Sequence, residues 1–317
     1  MLRTINVAAV TGYEARASAR SRRRRAPLGR RLRAHGTGYL FILGAAICFA
    51  LFSWYPMVRE VIMSFQKTNF AGDTAWVGLE NYRHIFADPS FWAAWRMSAL
   101  FTLFALVLGY LVPFLTAVVL NELRHARAYF RLLVYLPVMM PPVAAAFLWR
   151  WFYRADGSGL FNQTLSALQL PSVQWLQSSH ALAVLCLVIF STWANMGSSV
   201  LIYLAALQGV PGELYEASEI DGAGVLKRIW HVTVPQMRLI LSLMLMLQVV
   251  STMQVFLEPY VITGGANGTT SVVYQIYDYA FSFNNYGDAS ALGILLLLVL
   301  MGFAAVYLKL ARPVEEV

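Results

Sequence analysis

Charge is what this sequence has least of. Only 13% of its 317 residues are Asp, Glu, Lys or Arg, against about 25% in soluble domains. Apolar residues make up 59% and the mean hydropathy is +0.58. Such a chain is read as a membrane protein. Cysteine is scarce too: Cys48 and Cys186 both sit inside apolar runs, so neither a disulfide framework nor a thiolate metal site is expected. The five histidines (His35, His84, His125, His180 and His231) are scattered without ligand spacing. No G-x-x-x-x-G-K-[ST] phosphate loop occurs. No catalytic residue, metal or directly bound cofactor is therefore expected, and any ATP used in this chain's work must be hydrolysed by another subunit. The apolar runs are nearly free of ionisable residues, which argues against an ion-coupled secondary transporter. They also have no paired acids, which argues against a membrane-embedded enzyme.

What the chain does have is long apolar runs. A span needs about 20 mostly apolar residues to cross about 30 Å of hydrocarbon. Six stretches qualify: 38–58, 97–120, 130–153, 180–206, 238–259 and 289–310. The predicted class is all-α, a polytopic protein of six transmembrane helices. Prolines inside the runs, such as Pro113 and the pair Pro141-Pro142, are tolerated where neighbours satisfy the freed backbone groups.

Orientation follows from Lys and Arg in short connections. The stretch 1–36 holds ten of the 24 basic residues, including Arg22 to Arg25, against one acid, Glu14. Arg124, Arg127 and Arg131, then Lys227, Arg228 and Arg238, then Lys309 and Arg312 fall on the same side. The opposite connections hold fewer, and none lies between 260 and 288. Both termini and the central loop are thus predicted to be cytoplasmic, in a multi-pass cell-membrane protein. The segment 1–36 reads as a disordered basic tail held near anionic lipid. It does not read as a nucleic-acid binder, nor as a cleaved leader, since no convincing cleavage site follows it. The organisation expected is this tail, a permease-like domain over 37–310, and a short cytoplasmic tail over 311–317. Aromatic residues crowd the first outer loop (Phe70, Trp76, Tyr82, Phe86, Phe91, Trp92, Trp95), and a membrane-interface belt accounts for them.

The central loop, within 207–236, is too polar to cross a membrane and too patterned to be a linker. It reads ELYEASEIDGAGVLKRIWHVTVP from Glu213 to Pro235. Pro211 suits the start of a short helix and Asp221-Gly222 supplies the signal that ends it. A second helical run from Ala223 to about Val232 is expected to stop before Pro235. Small residues would allow another protein's backbone to approach, and the acids offer partners for cations, so the loop reads as a docking knob.

The stretch Glu216-Ala217-Ser218-Glu219-Ile220-Asp221-Gly222-Ala223, closed by Val232-Thr233-Val234-Pro235, resembles the EAA loop of binding-protein-dependent ABC importer permeases. Ser218 stands where that pattern usually has Ala. VGLENYRHIFADPSFW (77–92), YFRLLVYLPVMMPPVAAAFLWRWFY (129–153), LAALQGVPGELYEA (204–217) and YVITGGANGTT (260–270) are similar to the sugar-importing branch. The resemblance covers about residues 38 to 310. It implies the six-helix permease architecture of type I importers. It also implies two separate ATPase subunits docked through Glu216, Ala217, Ser218, Asp221, Gly222 and Ala223, a second, paralogous permease, and an extracytoplasmic solute-binding protein. Glu216 would pair with a cation on the ATPase, and Gly222 would allow the sharp turn. Gly222→Asp is expected to leave the chain inserted but uncoupled.

Polar side chains at membrane depth face a bundle interior or a wet cavity. Trp193 and Asn195 in the fourth run, and Gln248, Ser251, Thr252 and Gln254 in the fifth, are the pathway candidates. A saccharide needs neutral hydrogen-bonding groups and flat rings. Interhelical hydrogen bonding would equally explain Asn195, Gln248 and Ser251. Spacing puts Gln248, Ser251, Thr252 and Val255 on one helical face, and Gln254 and Glu258 on another. Glu258 reads as a solvated carboxylate at the outer interface. A polyamine-like cargo would require acids along the pathway, so a hydroxyl-rich solute fits better.

Overall fold

The computed structural model describes residues 36–68, 72, 74–123 and 125–315. The expected basic tail lies outside them except for Gly36, as do Phe70 and Arg124. The chain divides into two compact units, Met1–Arg59 and Glu60–Val317. Helix α1 (Gly36–Phe49), in the first, runs through a wider π turn at Ala50–Trp54 into α2 (Tyr55–Met63), whose last residues, from Glu60, belong to the second. The resulting span, Leu40–Met63, is 24 residues long, with Phe41 and Phe52 among its most exposed apolar side chains.

After α2 the second unit continues with a two-stranded antiparallel ribbon, β1 (Gln66–Lys67) and β2 (Ala75–Trp76), followed by α3 (Glu80–Ala87). Asp88 caps α4 (Pro89–Glu122), its side chain accepting from the Ser90 amide at 2.8 Å. Then come α5 (Arg127–Tyr135), α6 (Pro142–Phe152), α7 (Leu160–Ala167), α8 (His180–Gln208), α9 (Gly212–Ile220), α10 (Val225–Arg228), α11 (Val234–Gln236), α12 (Arg238–Met253), α13 (Val272–Tyr277) and α14 (Tyr286–Glu315).

Leu40–Met63, α4, α8 and Tyr286–Leu310 are each long and apolar enough to cross a membrane. The other two expected spans are broken. Between 130 and 153 the chain bends by 97°, because proline lacks an amide proton and forces the residue before it out of the helical region. Met140 and Pro141 are accordingly extended. The eleven residues left in α6 rise only about 16 Å, half a bilayer. The second break, of 81°, falls between Gln236 and Arg238. The expected stop at Pro235 is thus displaced: a π turn at Ile229–Thr233 leads into α11, which contains Pro235. The protein is a largely helical, multi-pass membrane protein with four to six crossings. Helix α14 continues into the segment read as a C-terminal tail.

The core is built where α4 and α8 pack. Ala105 and Ala117 on α4 are buried against α8, the small-residue contact that lets membrane helices approach closely, and Gly197 on α8 is buried as well. Gly197 is required: a Cβ there would lie 2.7 Å from the Val134 carbonyl at the end of α5. Trp149 of α6 packs edge-on or tilted against Phe152, Phe161, Phe190 and Trp193, extending the core outward. A further cluster joins α3 to α13 and α14 through Ile85, Val272 and Leu292.

Candidate functional site

Two places hold the residues singled out from sequence. The first is a cavity of about 800 Å³ among α4, α8 and α12. Helix α12 crosses α4 closely because Gly109 has no side chain; a Cβ there would come within 2.5 Å of the Gln248 amide nitrogen. Gly109 also stands four residues before Pro113, which has no amide to bond its carbonyl. Gln248 donates to the Ala105 carbonyl at 3.3 Å, and Tyr110 Oη donates to the Leu241 carbonyl at 2.9 Å. These contacts pin α12 to α4 and leave the space beside them open.

Asn195, Gln248, Ser251, Thr252 and Gln254 all line this cavity. Several of their donors are spent on nearby backbone. Asn195 Nδ2 donates to the Ser191 carbonyl (2.9 Å), Thr252 Oγ1 to that of Gln248 (2.8 Å) and Gln254 Nε2 to that of Val250 (3.0 Å). Such bonds fix side-chain directions and leave the amide oxygens of Asn195 and Gln254 as acceptors, without a net charge. Ser191, Thr192, Ser198 and Ser199 of α8 add hydroxyls that were not singled out from sequence. A serine-rich face beside Asn195 was the available signal.

Trp193 is placed elsewhere. Its ring packs 5.3 Å from Trp149 in the aromatic core, and it is not among the cavity's lining residues. Helical residues two apart point about 200° apart, so Asn195 and Trp193 do not share a direction. The division of α12 into two polar faces also ends early. The helix stops at Met253, Gln254 caps it, and the irregular backbone that follows turns both Gln254 and Glu258 toward the cavity. Glu258, read from sequence as an interfacial carboxylate, lines this cavity and also a smaller neighbour of about 180 Å³.

The second place is the hairpin formed by α9, α10 and α11. Helix α9 ends in a Schellman motif: Gly222 takes a left-handed φ of +73°, its amide donates to the Glu219 carbonyl (3.0 Å), and the Ala223 amide donates to Ser218 (2.9 Å). Nothing lies within 4 Å of where a Cβ at 222 would sit. The glycine therefore serves the backbone turn and not a tight contact within this chain. Ser218 Oγ donates to the Tyr215 carbonyl at 2.7 Å, and the Tyr215 and buried Thr233 hydroxyls meet at 3.1 Å, holding α9 against the π turn. Arg228 reaches back to pair with Glu219.

Between the two arms opens a cleft of about 530 Å³ whose lining includes Ala217, Ser218, Asp221 and Ala223. Glu216 is exposed and Gly222 lies at the turn; neither lines the cleft. Ile220, Leu226 and Trp230 are 87%, 83% and 70% exposed. Among the described residues no group of three or more metal-ligating side chains comes together.

The family model for the binding-protein-dependent transport system inner membrane component matches residues 105–312, which include both places. The chain is 31% identical to the arabinooligosaccharides transport system permease protein AraP of Bacillus subtilis (strain 168), over 86% of this chain and 88% of that one. It is 32% identical to the trehalose/maltose transport system permease protein MalF of Thermococcus litoralis, over 87% and 93% respectively. The crystal structure of a bacterial alginate ABC transporter in complex with alginate pentasaccharide-bound periplasmic protein contains a chain of the same fold. Its TM-score is 0.81 at 22% identity, covering 90% of this chain and 98% of that one.

Proposed function

This chain belongs to the family of inner membrane components of binding-protein-dependent transport systems, and from that premise we propose that it is the permease subunit of an ATP-driven carbohydrate importer. The observation that carries the reading is the pairing, in one chain, of a neutral hydrogen-bonding cavity with an exposed hairpin whose turn is held by its own backbone. A saccharide presents hydroxyls on every face. Amide oxygens and hydroxyls from α8 and α12 match it without the desolvation cost that a charged lining would impose. Relatives named for arabinooligosaccharide and for trehalose/maltose transport support a sugar or sugar derivative as cargo.

The hairpin supplies the coupling. Its exposed apolar side chains, Ile220, Leu226 and Trp230, are suited to burial in a cleft of an ATPase subunit, with Glu216 and Asp221 offered to cations there. ATP-driven closure of two such subunits would pull the hairpin. Because its C-terminal arm leads through the bend at Met237 directly into α12, the movement reaches Gln248, Ser251 and Thr252. The chain then alternates between inward and outward openings, beside a paralogous permease and under a loaded extracytoplasmic binding protein. Both termini and the hairpin face the cytoplasm of the cell membrane in this arrangement, and the ATP is bound and hydrolysed by the partner subunits.

Purification from native membranes in mild detergent, with mass spectrometry of what accompanies the chain, tests this. A P-loop ATPase and a second multi-span permease are expected. Recovery of this chain alone, even after cross-linking through Glu216→Cys, would overturn the reading in favour of an ion-coupled transporter.

A further inference from the structure

The cavity's lining is neutral with one exception. Of its side chains only Glu258 is ionisable; no Lys, Arg or His is among them. Arg150 and Arg154 line a separate cleft of about 350 Å³, where Arg154 pairs with Asp156 and Arg150 donates to the Val261 carbonyl. The cavity on the proposed route thus has one acid and no cation among its lining residues.

Glu258 is positioned by the backbone. Helix α12 gives out at Met253, residues 254–256 are irregular, and Pro259 starts a π turn immediately after the glutamate. The side chain then sits where the large cavity meets the smaller one. Ser191 lies beside its carboxyl group and Asn195 borders both spaces with it.

We propose that Glu258 is the charge filter of the transport cavity, admitting uncharged saccharides and turning away those that carry carboxylate or sulfonate groups. This rests on the carbohydrate reading above and deepens it. A carboxyl group accepts hydrogen bonds from the paired hydroxyls of a sugar ring through two oxygens. An anionic sugar in the same place would give up its hydration without finding a cation, and the Glu258 carboxyl group would offer it at most one proton donor and no positive charge.

The test uses the detergent-purified assembly of this chain with its co-purifying subunits, without binding protein, so that discrimination by the latter does not enter. Saturation-transfer NMR would compare arabinotriose, maltotriose and diacetylchitobiose with trigalacturonate. Wild type is expected to bind at least one neutral sugar and to bind trigalacturonate roughly tenfold more weakly or worse. Glu258→Gln, which keeps the shape and the acceptor oxygen, is expected to narrow that gap, and Glu258→Lys to reverse it; thermal melts check that both variants are folded. An unchanged acid-to-neutral ratio in both variants, or tight binding of trigalacturonate to wild type, would overturn the filter and leave carbohydrate import standing. Failure of every saccharide to bind wild type would remove both.

Discussion

The hairpin over 212–236 and the outer belt formed by α3, α13 and the start of α14 are built on opposite principles. In the belt, the buried side chains of Asn81, Ser98 and Asp288 find their partners within the chain. Asn81 donates to the carbonyls of Ser64 (2.9 Å) and Gln66 (3.0 Å), Ser98 Oγ accepts from the Val272 amide (3.0 Å), and Asp288 takes His84 Nδ1 at 2.5 Å and the Asn285 amide at 2.6 Å. In the hairpin the polar groups are at the surface, and so are large apolar ones that a lone chain would bury. A region that satisfies its own polar groups is finished by folding. One that leaves Leu226 and Trp230 in the open is, on the function proposed above, finished by a partner. On that reading the belt is scaffold and the hairpin is interface, and substitutions should separate the two.

The largest separation is expected at Gly222. A β-branched residue at φ +73° is a backbone outlier, whereas Asp tolerates the left-handed region better. Gly222→Val is therefore the more damaging change, and Gly222→Asp, named from sequence as the uncoupling substitution, is the milder. With no atom near the absent Cβ, the cost of about 1–3 kcal/mol stays in the hairpin. Gly222→Val should insert and melt like wild type yet lose ATPase recruitment and at least about tenfold in uptake, equivalent to about 1.4 kcal/mol of docking energy. Normal uptake by this variant would mean that the turn transmits nothing.

Ser271 is the counterpart in the belt. Its hydroxyl donates to the Val255 carbonyl (2.5 Å) and accepts from the Tyr274 amide (3.2 Å) as the cap of α13. The side chain is fully buried. Ser271→Ala should lower stability by about 1–2 kcal/mol, read as a fall in melting temperature of the detergent-solubilised assembly, while ATPase recruitment is untouched. If recruitment fell with stability, the two regions would not be independent.

How much of this was legible in the residues differs between the same two regions. The hairpin's turn was readable because Asp221-Gly222 is a local signal, and local signals survive into the fold. The route of the chain after it was not, since the π turn at Ile229–Thr233 absorbs Pro235 and moves the break to Met237, a buried residue anchored by tertiary packing. Hydropathy marked six candidate crossings, of which four are continuous helices and two are bent pairs; the bend at Pro141-Pro142 was marked by its prolines but its 97° angle depends on where α6 packs. Helical spacing brought Gln248, Ser251 and Thr252 together correctly, being a property of one helix. It failed for Gln254 and Glu258, because periodicity presumes that the helix continues and α12 ends at Met253. The placement of Trp193 in the core against Trp149 is a contact between helices, which no single-helix pattern contains.

The smallest effect, and the one that probes the belt by solvent alone, is expected at Asp88. Burial raises the cost of charging this carboxyl group. Hydrogen bonds from the Tyr279 hydroxyl at 2.6 Å and from the Ser90 amide at 2.8 Å outweigh it, with help from His84, and hold Asp88 below its ordinary value. The same contact, after burial, pushes the Tyr279 hydroxyl up. A carboxyl group with a depressed folded value favours the fold when ionised. Its contribution is complete above the unfolded value of about 3.9 and disappears as pH falls through the folded one. Because Asp88 still touches water, the contribution should stay under about 1 kcal/mol. Asn caps a helix about as well as Asp but does not titrate. Wild type should therefore melt slightly above Asp88→Asn at pH 6, with the difference closing below about pH 4. An equal gap at both pH values would assign the stabilisation to cap geometry, leaving the belt held by hydrogen bonds without a contribution from charge.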